Sequence, residues 1–239
     1  MLDMKIYEKK TNAKIIRKLT SQNIKKKSSA KDILYLLDDM KNFSEINNIP
    51  ICKIEVINFI SNLINDSQYK NILEIGTAIG YFAIHIQMLS SAKITTIELS
   101  KKMFSIAQKN IKKAKKNNKI KLILGEANEI LTNLKNKYLK YFDLIFIDAA
   151  KSQYKKYFLN SVDLLKPSGV IICDNILFRG MVNENNKINK RYKTIVKNMK
   201  LFLEFLTKNK DFNTTIVPIS DGLSISYKIN KTSNKYLLN

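Results

Sequence analysis

Two phrases, Phe146-Ile147-Asp148-Ala149-Ala150-Lys151 and Cys173-Asp174-Asn175, each end an apolar run on residues that can hold a cation. If the two runs are neighbouring strands, Asp148, Asp174 and Asn175 bring three hard oxygen donors to one edge of a sheet. Two carboxylates and an amide, with no histidine or thiolate beside them, select Mg²⁺, Mn²⁺ or Ca²⁺ over zinc. Acidic residues also cap helices at such an edge, so the trio alone carries that plainer reading as well. Lys151 follows Asp148 by three residues and can point into the same mouth, although in so lysine-rich a chain it reads equally as a surface side chain.

A third phrase, Leu73-Glu74-Ile75-Gly76-Thr77-Ala78-Ile79-Gly80-Tyr81, lies where a strand pattern gives way to a helical one. Glycines at such a turn let a ligand approach the backbone closely. The spacing Gly-x-x-x-Gly misses the dinucleotide fingerprint Gly-x-Gly-x-x-Gly, and no Lys-Ser/Thr pair follows to form a phosphate loop. Glu74, ahead of the first glycine, suits a ligand with an ammonium and a sulfonium better than one with a pyrophosphate. The alternative is a tight turn that does no more than start a helix. Glu98, closing Thr95-Thr96-Ile97-Glu98, stands where a carboxylate can accept hydrogen bonds from both hydroxyls of a ribose. Gly125-Glu126-Ala127 could meet an adenine edge, with Glu126 equally readable as a first-turn acid favoured by the helix dipole.

The elements that would position these residues follow from apolar periodicity. Short Ile/Leu-rich runs, as expected of strands buried on both faces, cover Asn71 to Ile75, Lys93 to Ile97, Lys121 to Leu124, Asp143 to Ile147 and Val170 to Cys173. Helical patterns fit between them at Ile79 to Leu89, Lys101 to Lys116, Ala127 to Lys135 and Gln153 to Leu165. That order predicts an α/β, doubly wound, mostly parallel sheet with helices on both faces. A helix from Tyr192 to Thr207 and two strands, Thr214 to Pro218 and Leu223 to Tyr227, close the chain. Ser220-Asp221-Gly222 between those strands is a hairpin signal. A seven-stranded sheet ending in an antiparallel hairpin is the arrangement of Rossmann-like class I methyltransferases. Residues 1–48 read as a basic helical extension packed on the same domain, with a helical pattern from Ala30 to Met40 and a break at Asn47-Asn48-Ile49-Pro50. Residues 49–239 form the main domain, led by a helix from Lys53 to Leu63.

The 239 residues carry a formal net charge of +22, a field that draws polyanions and makes nucleic acid a candidate partner. Lys, Asn and Ile are all abundant, so part of the excess also reads as compositional drift. No apolar run is long enough to span a membrane and the N-terminus lacks a signal-peptide core, which predicts a cytoplasmic protein without a membrane partner. Cys52 and Cys173 lie far apart in apolar surroundings and read as buried thiols. The single histidine, His85, falls inside a helical pattern and reads as structural.

Taken together, these phrases resemble the cation-dependent O-methyltransferase family that includes catechol and caffeoyl-CoA methyltransferases, over about Ile49 to Lys228. Glu74 to Tyr81, Phe146 to Lys151 with Gln153-Tyr154, and Asp174-Asn175-Ile176-Leu177-Phe178-Arg179-Gly180 resemble in particular the bacterial tRNA 5-hydroxyuridine methyltransferases. The resemblance implies S-adenosyl-L-methionine as cofactor, held by the Glu74, Gly76, Thr77, Gly80 and Tyr81 loop, with Asp148 alongside. It implies Asp148, Asp174 and Asn175 as ligands of Mg²⁺ (or Mn²⁺ or Ca²⁺), Glu98 on the ribose, and Glu126 and Ala127 on the adenine. Lys151 matches the general base, working beside Asp148. Three positions depart from the family pattern. Phe82 replaces a small hydroxyl residue that helps hold the methionine carboxylate, Glu126 replaces Asp, and Cys52 replaces a Met beside the cofactor.

On that resemblance the acceptor is expected to be 5-hydroxyuridine, converted to 5-methoxyuridine at the wobble position of a tRNA anticodon loop, by a homodimer. The 5-hydroxyl and 4-carbonyl of that base present the same adjacent oxygen pair as a catechol. A small catechol-like or caffeoyl-CoA-like acceptor is therefore the alternative, and a non-catalytic RNA-binding protein of the same fold is a second one. Arg179, Lys187, Lys190, Arg191 and Lys193 could form a phosphate-holding rim around the mouth, assisted by N-terminal lysines, or simply a long solvated loop.

Overall fold

The computed structural model of this chain describes residues 24–178, 180–182 and 189–229, and it divides into two compact units between Ile49 and Pro50. In the first unit, helix α1 (Ile24–Ile46) is longer than the periodicity from Ala30 to Met40 predicts. Its end is set by local chemistry. Asn48 adopts a left-handed conformation, φ 51°, which lets the Asn48 and Ile49 amides turn back onto the carbonyls of Glu45 and Ser44. Asparagine tolerates that conformation better than most residues.

The second unit is built on one seven-stranded sheet in the order β3-β2-β1-β4-β5-β7-β6. The strands are β1 (Asn71–Ile75), β2 (Lys93–Glu98), β3 (Ile120–Leu124), β4 (Phe142–Ile147), β5 (Leu165–Cys173), β6 (Phe212–Val217) and β7 (Leu223–Lys228). Strands β1 to β5 pair in parallel, while β7 lies antiparallel between β5 and β6. The expected sheet and terminal hairpin are therefore present.

The helices are α2 (Ile54–Asp66), α3 (Tyr81–Leu89), α4 (Lys101–Lys113), α5 (Ala127–Tyr138), α6 (Tyr154–Ser161) and α7 (Lys193–Lys208). Strand side chains alternate between two faces, and both faces are apolar. Leu73, Ile75, Ile97, Ile145, Ile147, Ile171 and Cys173 join one core cluster with α5, α6 and α7, through Leu131, Phe158 and Phe202 among others. The opposite face carries Glu74, Thr96 and Phe146, and there Phe82 of α3 stacks on Phe146 with ring centroids 4.3 Å apart.

Two elements differ from the periodic reading. The helix expected to reach Leu165 stops at Ser161, and β5 begins at Leu165 rather than Val170. Leu164 and Leu165 continue the helical spacing in sequence, but both are fully buried, and Leu165 pairs with Phe142 of β4 across a register shift. Pairing with the sheet outweighs the local helical preference.

Candidate active site

The sheet order reverses direction at β1, which has β2 on one side and β4 on the other, and the carboxyl ends of strands at such a switch point form a crevice. Three backbone hydrogen bonds tie those ends together. The Gly76 amide donates to the Ile97 carbonyl at 3.0 Å, Asp148 to Ile75 at 3.0 Å, and Asp174 to Ile147 at 3.0 Å. The loop after β1, the acid after β4 and the acid after β5 are thus held in a row. Gly76 has φ +100°, and a Cβ there would run into the backbone carbonyl of Asp148. Only glycine lets these two strand ends approach so closely.

At the β4 and β5 ends the four residues singled out for cation chemistry come together. Lys151 Nζ lies 3.4 Å from Asp148 Oδ1 and 3.0 Å from Asn175 Oδ1. The Asp174 Oδ1 oxygen accepts from the backbone amide of Asn175 at 2.6 Å and from its side-chain nitrogen at 3.1 Å. Asn175 makes this double contact in a left-handed conformation, φ 52°. Burial, reinforced by the neighbouring negative charge of Asp148, pushes the Asp174 carboxyl up to about 7. Lys151 is no surface lysine. Its side chain is only 16% exposed, and it donates at 2.7 Å to the hydroxyl of the fully buried Tyr154, which donates in turn to the Asp174 carbonyl at 3.0 Å.

The arrangement fits a divalent cation. Two neighbouring carboxylates, with Asp148 raising the proton affinity of Asp174, an amide oxygen beside them, and an ammonium already seated against two of the three residues describe a place where positive charge is stabilised. One expectation needs correction. The set was read as lacking a thiolate partner, yet the buried Cys52 thiol faces Asp174 Oδ2 at 4.0 Å. A carboxylate oxygen from each of Asp148 and Asp174 and the Cys52 sulfur all lie within 4.8 Å of one another. The contact joins residues 122 positions apart and leaves no trace in local sequence.

The glycine loop is organised around two glutamates. Glu74 points into the sheet's second face, where its carboxylate accepts from Thr96 Oγ1, itself in contact with Thr77 Oγ1. Glu74 and Thr96 are register partners on β1 and β2. At 1% exposure, burial pushes the Glu74 carboxyl well above its usual range, and a cationic ligand beside it would reverse that shift. Glu98, at the end of β2, accepts from the Ala78 and Ser100 amides, both at 2.8 Å. One oxygen is therefore spent on holding the loop and the other on the turn into α4, and each keeps a second lone pair directed elsewhere. Gly80, with φ +86°, starts α3, whose first residue Tyr81 is buried against His85. The His85 imidazole is pushed down to about 4 by burial and pairs with the Tyr81 carbonyl, as a structural residue would.

The remaining candidates divide. Phe82 is 3% exposed and belongs to the core under the loop. Glu126 caps α5, accepting from the Glu129 amide at 3.1 Å and from Asn128 at 3.0 Å, and Ala127 is the first residue of that helix. Of the rim, Arg179 and Lys187 lie outside the described residues, as does most of the Asn183 to Arg191 stretch. Lys190, Arg191 and Lys193 are exposed. Arg191 sits over the Tyr192 ring, which meets Phe178 edge-on at 5.7 Å. Tyr154 and Thr96 were not singled out from sequence. Tyr154 had a signal available, because it follows Lys151 by three residues and so shares its side of a helical turn.

Comparison with known proteins identifies the family and the fold. A sequence model of the O-methyltransferase family matches residues 26–229. The chain is 35% identical over 130 residues to a catechol O-methyltransferase from Niastella koreensis, covering 54% of this chain and 59% of that protein. It is 28% identical to caffeoyl-CoA O-methyltransferase 2 of Petunia hybrida, over 80% of this chain and 84% of the relative. Among solved structures, a Staphylococcus aureus protein provisionally named as a caffeoyl-CoA O-methyltransferase superposes with TM-score 0.75 at 36% identity, covering 80% of this chain and 91% of that one. An O-methyltransferase from Bacillus cereus in complex with SAH superposes with TM-score 0.71 at 28% identity, covering 81% and 90%. Among the described residues, no helix is long and apolar enough to cross a membrane.

Proposed function

The chain belongs to the O-methyltransferase family, and on that premise we propose that it moves the methyl group of S-adenosylmethionine onto one of two adjacent oxygens of a small catechol-like acceptor, using a divalent cation held by Asp148, Asp174 and Asn175. The observation that carries the reading is the cluster at the β4 and β5 ends, where two carboxylates, an amide and Lys151 meet beside the glycine loop. The catechol and caffeoyl-CoA names of the relatives support the acceptor class, and the SAH complex of the Bacillus cereus protein supports the methyl donor.

In this mechanism the chain chiefly aligns groups and moves one proton. When bound, a cation held by Asp148, Asp174 and Asn175 would lower the pKa of the acceptor hydroxyl. Asp148 and Asp174 hold positive charge, and Asn175 supplies a neutral oxygen. Lys151 Nζ, within hydrogen-bond reach of Asn175, is the group placed to receive the hydroxyl proton once positive charge bound beside it has driven one of its own protons to solvent. The Gly76 to Gly80 turn lets the donor approach the backbone, Glu98 braces that turn, and Glu74 lends negative charge near the donor's ammonium and sulfonium. Alignment of oxygen, methyl carbon and sulfur accounts for the rest of the acceleration.

A second reading, 5-hydroxyuridine in tRNA, is favoured by the net charge of +22 and by the exposed Lys190, Arg191 and Lys193 next to the Phe178–Tyr192 ring pair. Transfer from labelled S-adenosylmethionine to catechol, to caffeoyl-CoA and to tRNA bearing 5-hydroxyuridine separates the two. Label in the small acceptors, abolished by a chelator or by Asp148→Ala, is the expected result. Label in tRNA alone would move the acceptor to RNA, and label in none would leave the fold without the activity.

A further inference from the structure

Building on the cation site just proposed, we infer that Cys52 is a sulfur donor to the same ion, so that this centre takes up thiophilic divalent metals such as Zn²⁺ and Co²⁺ through two carboxylates and a thiolate. The Cys52 thiol hangs from the extended segment just before α2, 7% exposed. Its weak contact with the neighbouring Lys53 carbonyl is 3.8 Å long, and its other contact is with Asp174 Oδ2 at 4.0 Å. That oxygen is the one facing the thiol, because Oδ1 is engaged by Asn175. An ion with bonds of about 2.3 Å to sulfur and about 2.1 Å to oxygen spans separations of this kind after a small inward movement. The sulfur and one oxygen each from Asp148 and Asp174, within 4.8 Å of one another, form such a set.

Coordination replaces the S–H bond with a metal–sulfur bond, and the proton leaves to solvent. Hard Mg²⁺ gains little from a sulfur ligand, whereas softer ions gain much. The residue therefore sets which metals the centre admits, and Zn²⁺ should compete with Mg²⁺ here far better than an all-oxygen site would allow.

Optical titration of the metal-free protein with Co²⁺ tests this, using the natural chain, Cys52→Ser, Cys52→Ala and Cys173→Ser. The expected result is a near-ultraviolet thiolate-to-cobalt charge-transfer band in the natural chain and in Cys173→Ser, lost in both Cys52 variants. Calorimetry should show Zn²⁺ affinity falling in Cys52→Ser by no less than the roughly tenfold that loss of an outer-shell partner costs, with Mg²⁺ affinity unchanged. Visible cobalt bands of equal form in all four proteins, without the charge-transfer band, would overturn the sulfur ligand and keep the cation site. A band that follows Cys173 would overturn it too. Absence of any cobalt spectrum would overturn the sulfur ligand, and absence of any heat of Mg²⁺ binding beside it would overturn the cation site as well.

Discussion

The Tyr154 hydroxyl takes a hydrogen bond from Lys151 at 2.7 Å and passes one to the Asp174 carbonyl at 3.0 Å, so one buried phenol connects the candidate base to the strand end that carries two cation ligands. The Lys151 Nζ also lies 4.9 Å from the centre of the Tyr154 ring. Tyr154→Phe keeps the ring and removes only the connection. Leaving the Asp174 carbonyl without this donor should cost about 1–3 kcal/mol of stability. Turnover should fall on the order of tenfold, within the range a positioned base contributes, with KM for both substrates nearly unchanged. Steady-state kinetics beside a denaturant melt decide it, and an unchanged kcat would show that the hydroxyl only fills space.

Acid titration of the metal-free protein should show the buried carboxylate directly. Asp174 binds its proton near 7 when folded and near 3.8 in its ordinary state, so the folded chain binds more protons between those values and gains stability as pH falls through about 7. His85 acts in the opposite sense. Its folded value of about 4 lies below the ordinary 6.5, so stability is lost as pH falls through 6.5. Between about pH 8 and about pH 6.5 the acid's gain of roughly 0.8 kcal/mol outweighs the histidine's loss of roughly 0.4 kcal/mol, so stability in a chelator should rise there by a net of roughly 0.4 kcal/mol. Asp174→Asn should remove the acid's share of that rise, and saturating Mg²⁺ should reverse it. Urea unfolding at the two pH values is the measurement.

Gly76→Ala places a methyl against the Asp148 carbonyl in a conformation with φ +100°. The backbone conformation alone costs about 1–3 kcal/mol. Gly80→Ala meets the same conformational objection at φ +86°, but its nearest neighbour would be 3.5 Å away. We expect Gly76→Ala to lose more stability than Gly80→Ala and, alone of the two, to weaken cation binding, because the collision displaces Asp148. Calorimetric Mg²⁺ titration of both variants checks this.

Phe82→Ser supplies the small hydroxyl that the family resemblance implies at this position but empties the space against Phe146. The cavity should cost about 3–5 kcal/mol, enough to lower Tm sharply whatever happens to donor affinity. A variant with unchanged Tm would mean that Phe82 is not a core residue in solution.

The sheet was legible because its strands are continuous apolar runs punctuated by glycine and acidic residues, and the meeting of Asp148, Asp174, Asn175 and Lys151 at one edge followed from where those runs end. What escaped was set by contacts between distant parts of the chain. Leu164 and Leu165 keep a helical rhythm, yet sheet pairing claims them. Cys52 sits 122 positions from Asp174, and no local pattern announces their meeting. Glu126 shows the reverse. Its plainer reading as an acid at a helix start is what the structure displays, and Glu98 engages two backbone amides, a structural duty that sequence could not reveal.

The last strand, β7, lies inside the sheet rather than at its margin, and the turn before it grips the segment that follows the cation ligands. The Ile176 and Leu177 amides donate to the carbonyls of Gly222 and Asp221, each at 3.0 Å. Asp174 and Asn175 depend on residues some fifty positions later in the chain to secure the loop beyond them. Long-range closure of this kind is slow. The loop beyond the proposed cation ligands is therefore secured only in a chain that includes the turn before β7.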